Sequence, residues 1–308
     1  MTTKRRWYRY SLRGAMGLVV VCGVLLAVVA RPAQERKLAI ADIRAAGGTI
    51  QFDTGSAGSW IDKFVGKTLG PDAAAKVFSV DLRKAKIESD FLVCFRALPE
   101  LKELDLEETK VSDDGLDHLR SLDELRTLML GATAISDTGL TKLAQLQLRS
   151  LRTLSIQGTK ITDVGLSEIA KLPGLTDLLL NGTETTDQGV ESLVPLKSLV
   201  DLGLRGTKVT SNGLVYLKQL PRLEKIRLYM TAVDDLGVQY LSEIPTLRLL
   251  DISMTQITDA AFRSLAHLPN LEALDVSATD VSAEALKMFQ RTHPKCTIEA
   301  YAIRGGQR

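Results

Sequence analysis

The stretch whose residue types come closest to catalytic chemistry is Asp53-Thr54-Gly55-Ser56, which directly follows the short alternating segment 49–52. An aspartate held at a Thr-Gly turn can present its carboxylate for acid–base hydrolysis. Such hydrolysis needs two carboxylates that share one proton, because two that lie so close together cannot both ionise. This four-residue spelling occurs once in the chain, so a second copy of the chain would have to supply the partner aspartate.

The spelling matches the active-site signature of aspartic proteases, but residues 31–76 are too few to form a β-rich protease domain with its cleft. The favoured interpretation is structural. A loop joins a strand at 49–52 to a helix that begins at Ser59, which can cap the helix together with Asp62. We expect one face of that helix to cover the open end of the core that follows, through Trp60, Phe64, Val65 and Leu69.

Other reactive side chains are few and scattered along the sequence. They are His118, His267 and His293, and Cys22, Cys94 and Cys296. Their spacing fits neither a disulfide framework nor a zinc site. The net charge of +2 does not indicate a polyanionic partner. We therefore expect no catalytic residues, no metal, no cofactor and no nucleic acid.

Most of the chain consists of a unit that repeats every 24 residues. Position one of each unit is Leu101, Leu125, Leu151, Leu175, Leu199, Leu223, Leu247 or Leu271. Two extra residues interrupt the spacing around Gln147-Leu148-Arg149, and a degenerate unit begins at Val77. Units of this kind cannot bury their own apolar side and must stack. The pattern predicts an elongated solenoid of eight repeats and one capping repeat.

Each recurring residue type in the unit has a physical task. Positions one, four and six are predicted to point into the core from a short strand that pairs in parallel with its neighbours. The threonine at position nine is predicted to hydrogen-bond turn backbone. The following Ser/Thr-Asp pair, such as Thr162-Asp163, is predicted to cap a helix. One aspartate per repeat, used as a cap, does not make a calcium site.

The array resembles the leucine-rich repeat proteins, and the spelling I-T-D-x-G-L is closest to their cysteine-containing, F-box-associated subtype. Here threonine replaces the cysteine of that subtype at position nine, and no F-box precedes the repeats, so a ubiquitin-ligase role is not implied. The layout also resembles bacterial single-anchor leucine-rich repeat proteins. The resemblance implies an α/β solenoid with parallel strands on the concave face and helices on the convex face.

The N-terminus predicts export of the repeats. Residues 1–13 are basic, and the uncharged apolar residues 14–30 are about long enough for one transmembrane helix. The cationic flank predicts a single-pass anchor with a cytoplasmic N-terminus and an exported repeat domain. The alternative is a signal sequence cleaved near Ala30, which would release a secreted protein.

These patterns divide the chain into five parts. They are a basic segment at 1–13, an anchor or signal sequence at 14–30, a spacer and cap at 31–76, the repeat domain at 77–290, and a C-terminal strand and tail at 291–308.

The concave face is the expected binding surface, because outward strand positions can vary without breaking the stack. Tyr and Arg are enriched where interfaces concentrate their energy, and Met suits adaptable contacts. The predicted patch comprises Arg205, Lys225, Arg227, Tyr229 and Met230, with further apolar area from Leu179, Met129 and Met254. The sequence thus predicts a non-enzymatic recognition module for a protein or peptide. The alternatives are a passive or homotypic envelope scaffold, or an Asp53-based protease.

Overall fold

The computed structural model describes residues 26–53 and 60–301. The basic segment 1–13, most of the predicted anchor at 14–30, the Thr54-Gly55-Ser56 turn, the predicted cap Ser59 and residues 302–308 lie outside the described residues. Among the helices that are described, none has the length and apolar character needed to cross a membrane.

A single sheet of 11 strands runs through the molecule, and its strands follow one another in sequence order. The first pair is antiparallel, and every later pair is parallel. The strands are β1 Thr49–Phe52, β2 Val77–Asp81, β3 Glu103–Asp105, β4 Thr127–Met129, β5 Thr153–Ser155, β6 Asp177–Leu179, β7 Asp201–Gly203, β8 Lys225–Arg227, β9 Leu249–Asp251, β10 Ala273–Asp275 and β11 Thr297–Glu299. Short strands joined by crossover segments in strict order form a solenoid, as predicted.

Helices lie before β1 and between most pairs of successive strands. They are α1 Arg31–Ala45, α2 Trp60–Leu69, α3 Pro71–Ala74, α4 Asp137–Gln145, α5 Asp163–Ile169, α6 Asp187–Ser192, α7 Ser211–Leu214, α8 Asp235–Leu241, α9 Ala261–Leu265 and α10 Ala283–Thr292. Turns of 3₁₀-helix replace the α-helix at Ser89–Ala97 and Asp113–Ser121, and another occurs at Leu217–Gln219. A π-helical turn at Leu26–Ala30 leads directly into α1.

The core is a continuous column of leucine side chains, because each repeat places the same positions inward. Leu154 of one strand lies in register with Leu178 of the next, and both are fully buried. Leu151 and Ile156, at positions one and six, are buried as well. The prediction of core positions one, four and six is therefore confirmed. Burying each such side chain contributes about 1.5–3 kcal/mol.

The threonine at position nine closes a turn within its own repeat. In all eight repeats its Oγ1 donates to the carbonyl oxygen of the residue three positions earlier, at 2.5–2.7 Å. The predicted bond to turn backbone is therefore confirmed. This bond gives a hydrogen-bond partner to a carbonyl at the strand's end, which in two repeats also accepts from the backbone N–H of the same threonine, Thr183 or Thr207.

The aspartate of the Ser/Thr-Asp pair joins one repeat to the next. Asp163, the first residue of α5, accepts hydrogen bonds from both the backbone N–H (2.8 Å) and the hydroxyl (2.5 Å) of Thr186, which caps α6. The same two bonds recur in six pairs: Asp113–Ser136, Asp137–Thr162, Asp163–Thr186, Asp187–Thr210, Asp235–Thr258 and Asp259–Ser282. We call this pair of bonds the inter-repeat clamp.

The glycine two residues after the aspartate makes room for the clamp from the preceding repeat. A Cβ added at Gly165 would lie 2.4 Å from Oδ1 of Asp137, and one added at Gly189 would lie 2.3 Å from Oδ1 of Asp163. Alanine takes the glycine's place in the last two repeats, at Ala261 and Ala285. The Asp235–Thr258 clamp is retained beside Ala261, and before Ala285 the cap residue Ser282 has φ −78°, compared with −114° to −123° at most other caps. In the sequence D-x-G-L, the aspartate thus bonds to the cap residue of the next repeat, and the glycine leaves space for the aspartate of the previous repeat.

The N-terminal end of the core is covered by α1 and β1. Ile40 and Ile43 of α1 are fully buried in the main core, and Gly47, at φ +84°, follows the end of this helix. The prediction that α2 covers this end of the core is wrong. Val65 belongs to a small separate cluster with Ala33 and Ala73, and Phe64 is 59% exposed. Of the two helices near the N-terminal end of the core, α1 covers it, because β1 directly follows α1 and pairs with β2.

Replacing Gly165 by alanine tests the packing role of the glycine. The new Cβ would meet the Asp137 carboxylate, so we expect a loss of about 1–3 kcal/mol in the free energy of unfolding, measured by urea denaturation. Gly66→Ala is the control, because a Cβ there meets nothing closer than Ala74 Cβ at 3.4 Å within a helix. Equal stability of the Gly165→Ala variant and the unmodified chain would contradict this role.

The clamp also predicts acid sensitivity. Hydrogen bonds from the backbone N–H and then the hydroxyl of Ser282 lower the pKa of Asp259, and the hydroxyl of Ser211 is the main cause that lowers the pKa of Asp234. A carboxylate with a lowered folded pKa stabilises the protein above its unfolded pKa, near 3.9, and that contribution is lost as pH falls through the lowered value.

We therefore expect the melting temperature of the unmodified chain to exceed that of Asp259→Asn at neutral pH, with the gap narrowing below about pH 4. Asp280→Asn is the control, since the Asp280 side chain makes no hydrogen bond within the described residues. A gap that stays constant down to acid denaturation would show that Asp259 does not titrate with folding.

Candidate functional site: the concave face

The groups first considered for catalysis lie apart from one another. The backbone N–H of Asp53 bonds to the carbonyl of Lys76 beside the sheet's first strands. His118 Nδ1 lies 2.9 Å from Arg96 Nη2, whereas His293 stacks on Phe289 near the other end. The letters Asp-Thr-Gly recur at 137–139, where the carboxylate forms an inter-repeat clamp.

The two described thiols are also unsuited to nucleophilic chemistry. Burial raises the pKa of the Cys94 thiol to about 12, and burial likewise raises the pKa of Cys296. A thiol needs a lowered pKa to react as thiolate near neutral pH. No group of three or more His, Cys, Asp or Glu side chains that could hold a metal occurs in residues 26–53 and 60–301.

The arginines of the predicted patch are held by ion pairs on the concave face. Arg227 pairs with Asp201 of the preceding strand. Arg205 reaches across a whole repeat to Asp251, with Nη2 to Oδ2 at 2.7 Å. Both aspartates are buried, at 7% and 5% exposure, so a structural charge pair fixes each guanidinium. Asp201 and Asp251 are therefore not available to a partner.

A second crossing contact fixes the acidic end of the same face. Glu107 Oε1 accepts from Ser155 Oγ at 3.0 Å and from Gln157 Nε2 at 2.9 Å, two repeats away. The carboxylate crosses over Gly131, where an added Cβ would lie 2.7 Å from it. Ser155 is consequently fully buried although it points away from the core. The absence of a side chain at Gly131 thus allows the Glu107 side chain to cross between repeats.

Position eight of every repeat has a left-handed backbone. In the middle of the array these residues are Gly158, Gly182 and Gly206, which adopt φ between +60° and +66° without strain. Met230 and Met254 adopt φ +55° and +52° at the same position. A left-handed conformation costs a non-glycine residue about 1–2 kcal/mol. The two methionines are therefore held in a strained backbone with their side chains exposed.

Met254 and two tyrosines line a pocket at the C-terminal end of the face. The pocket has a volume of about 420 Å³ and is lined by Arg205, Tyr229, Asp251, Ser253, Met254, Asp275, Ser277, Ala278 and Tyr301. Tyr229 is 37% exposed and Met230 beside it 54% exposed. Tyr301 is a lining residue that the sequence did not indicate, because it follows the last recognisable repeat.

The structure brings together part of the predicted site. Arg205, Arg227, Tyr229, Met230 and Met254 lie in repeats that adjoin or are separated by one strand. Lys225 lies on the same strand and face as Arg227, and both are half-buried. The remaining two, Met129 and Leu179, lie elsewhere on the sheet, on β4 and β6. With about 4.8 Å between strands, Met129 is roughly 19 Å from β8.

Comparison with known proteins agrees with this architecture. A family model described as "Leucine Rich repeat" matches residues 147–170. Internalin C2 of Listeria monocytogenes is 22% identical, with a TM-score of 0.55 over 82% of this chain and 96% of that one. The fold is a leucine-rich repeat solenoid. A leucine-rich repeat protein of Leptospira interrogans is 22% identical with a TM-score of 0.50, over 67% of this chain and 56% of that chain.

This chain thus spans a little over half the length of the Leptospira structure. No curated protein matches the sequence. Leucine-rich repeat proteins generally mediate protein–protein recognition, which makes the concave face of this solenoid the surface of interest.

Replacing Met230 by glycine separates strain from packing. Relief of the left-handed backbone outweighs the greater freedom of glycine in the unfolded chain, so we expect the free energy of unfolding to rise by about 0.5–1 kcal/mol. Met129→Gly is the control: Met129 lies in a regular strand, where glycine should destabilise. A loss of stability on Met230→Gly would mean that the Met230 side chain contributes more than the strain it imposes.

Proposed function

We propose that the protein is a non-enzymatic recognition module that binds a protein or peptide partner through the C-terminal half of its concave face. The observation that carries this proposal is the exposed apolar group formed by Tyr229, Met230 and Met254. Two of these side chains stand on left-handed backbone at position eight, where glycine lies in the three preceding repeats and where Glu108, Ala132 and Ala278 adopt the same conformation in others. A group of neighbouring exposed apolar side chains is typical of a surface that binds a partner.

The ion pairs beside this group support a recognition role. Because Arg205 and Arg227 are fixed by buried aspartates, they can form polar contacts with a partner without losing much conformational freedom. Fixed guanidinium groups next to exposed tyrosine and methionine have the composition typical of interface hot spots.

We further propose that residues 14–30 anchor the protein in a membrane, with the repeat domain on the exported side, or are cleaved to release it. The basic residues 1–13 and the uncharged run support this proposal. The described chain is helical from Leu26 through Ala45, so the end of the apolar run continues into the helix that covers the core. We also propose that the repeats are a threonine variant of the cysteine-containing subtype.

Partner capture with the immobilised protein tests the proposed surface. Tyr229→Ala combined with Met254→Ala should abolish recovery of the protein that the unmodified chain retains, because both side chains line the 420 Å³ pocket. Met230→Gly should weaken capture at unchanged or increased stability. The arginines make poor test positions, since removing one leaves a buried carboxylate unpaired at a cost of about 3–5 kcal/mol.

Val164→Ala combined with Met288→Ala is the matched control, because these side chains are exposed on helices, at 70% and 61%. Equal capture by the Tyr229/Met254 variant and the unmodified chain would contradict recognition through the concave face. Loss of capture in the control variant instead would place the interface on the helical side.

A further inference from the structure

The one irregular repeat of the array contains a pocket away from the concave face. Its two extra residues lie between α4 and β5, where Gln147 adopts φ +55°, a conformation found elsewhere in the array only at position eight. The loop they form faces the corresponding loop of the next repeat, Leu172-Pro173-Gly174. Between the two loops lies a pocket of about 590 Å³, lined by Ala144, Gln147, Leu148, Arg149, Leu151, Arg152, Lys171, Leu172, Pro173 and Gly174.

The charged residues that line this pocket are all cationic: Arg149, Arg152 and Lys171. Lys171 pairs with Glu168, at 2.6 Å. Within the described residues, neither arginine forms an ion pair with a carboxylate. Two positive charges therefore remain uncompensated beside a mainly apolar lining. By contrast, the two arginines on the concave face each have a carboxylate partner.

The Arg152 guanidinium is held in place by the loop itself. Its Nη1 donates to the carbonyl oxygens of Arg149, at 3.0 Å, and Leu151, at 2.8 Å. These bonds use one nitrogen and leave the Nε and Nη2 donors on the other edge of the fork. The position also depends on Gly174, because an added Cβ there would lie 2.7 Å from Nη1. No other complete repeat has glycine at its last position.

We propose that this pocket binds a phosphate monoester whose organic group is apolar. The free edge of the Arg152 fork suits two oxygens of one anion, and a dianion matches the two uncompensated charges. Ala144 and Pro173 provide an apolar wall for the organic group. The inference does not depend on the proposed concave-face function, because the pocket lies among the loops that lead from helices into strands.

Isothermal titration of the full-length chain with phenyl phosphate at low ionic strength tests the proposal. We expect saturable binding that weakens as sodium chloride is added, with inorganic phosphate weaker because it lacks the apolar group. Arg152→Ala should weaken phenyl phosphate binding by about tenfold or more, as expected for loss of a charge-assisted hydrogen bond. Gly174→Ala should weaken it too, by displacing the same guanidinium.

Arg149→Ala removes a charge without removing the side-chain bonds that shape the loop, so it guards against a folding artefact in Arg152→Ala. It too should weaken binding. Arg222→Ala, at the position equivalent to Gly174 two repeats on, is the control and should bind like the unmodified chain. Absence of saturable binding at millimolar phenyl phosphate, or unchanged affinity in both Arg149→Ala and Arg152→Ala, would overturn the proposal. Benzoate binding as tightly as phenyl phosphate would overturn the assigned class of ligand.

Discussion

Most repeats of the solenoid are joined to the next by a carboxylate that holds the first turn of the neighbouring helix. The Asp163 carboxylate satisfies both the backbone N–H and the hydroxyl of Thr186, while the Thr186 hydroxyl still accepts from the N–H of Gln188 at 3.3 Å. One carboxylate thus fixes the cap, the start of the helix and the separation of two repeats. Burial of the leucine side chains supplies most of the stabilising free energy, but apolar contact does not fix the orientation of one repeat on the next. The hydrogen bonds of the clamp fix that orientation.

Two junctions form the same contact with different atoms. Between Ser211 and Asp234 the donor and acceptor are exchanged: the Ser211 hydroxyl donates to the carboxylate and accepts from the Asp234 N–H. Between Ser89 and Ser112 two hydroxyl groups replace the carboxylate. The contact persists although the residues change, which indicates that the geometry of the junction demands a short polar bridge there.

The sequence was sufficient to predict the solenoid, because its determinants recur within a single repeat. The spacing of the leucines predicted the buried positions, and Thr159 and its equivalents predicted the closing turn. The sequence correctly placed aspartates at helix starts, but not their bonds to the following repeat. Those bonds depend on the offset between stacked units, which periodicity does not contain. The glycine of D-x-G-L was unexplained for the same reason.

Prediction of the concave face was weaker because strand alternation tells which way a side chain points but not what covers it. Asp201 and Asp251 stand at outward strand positions, yet Arg227 and Arg205 bury them. Phe64 lies on the more amphipathic of the two N-terminal helices, yet Ile43 of the other helix enters the core, next to the pairing of β1 with β2. Tyr301 lies beyond the repeating pattern, so its place in the pocket depends on how β11 closes the sheet.

The two faces of the solenoid differ in how far their polar contacts reach along the chain. A clamp joins adjacent units only, so duplication or loss of one complete unit between two clamps of the same kind would leave each remaining junction with both of its partners. The contacts from Glu107 to Gln157 and from Arg205 to Asp251 each skip a unit. Inserting or deleting a unit between the ends of either contact would separate them, and in the second case would leave the buried Asp251 carboxylate without its partner. The helical side can therefore accommodate changes in array length during evolution, whereas the concave side fixes the number of units between Glu107 and Gln157 and between Arg205 and Asp251.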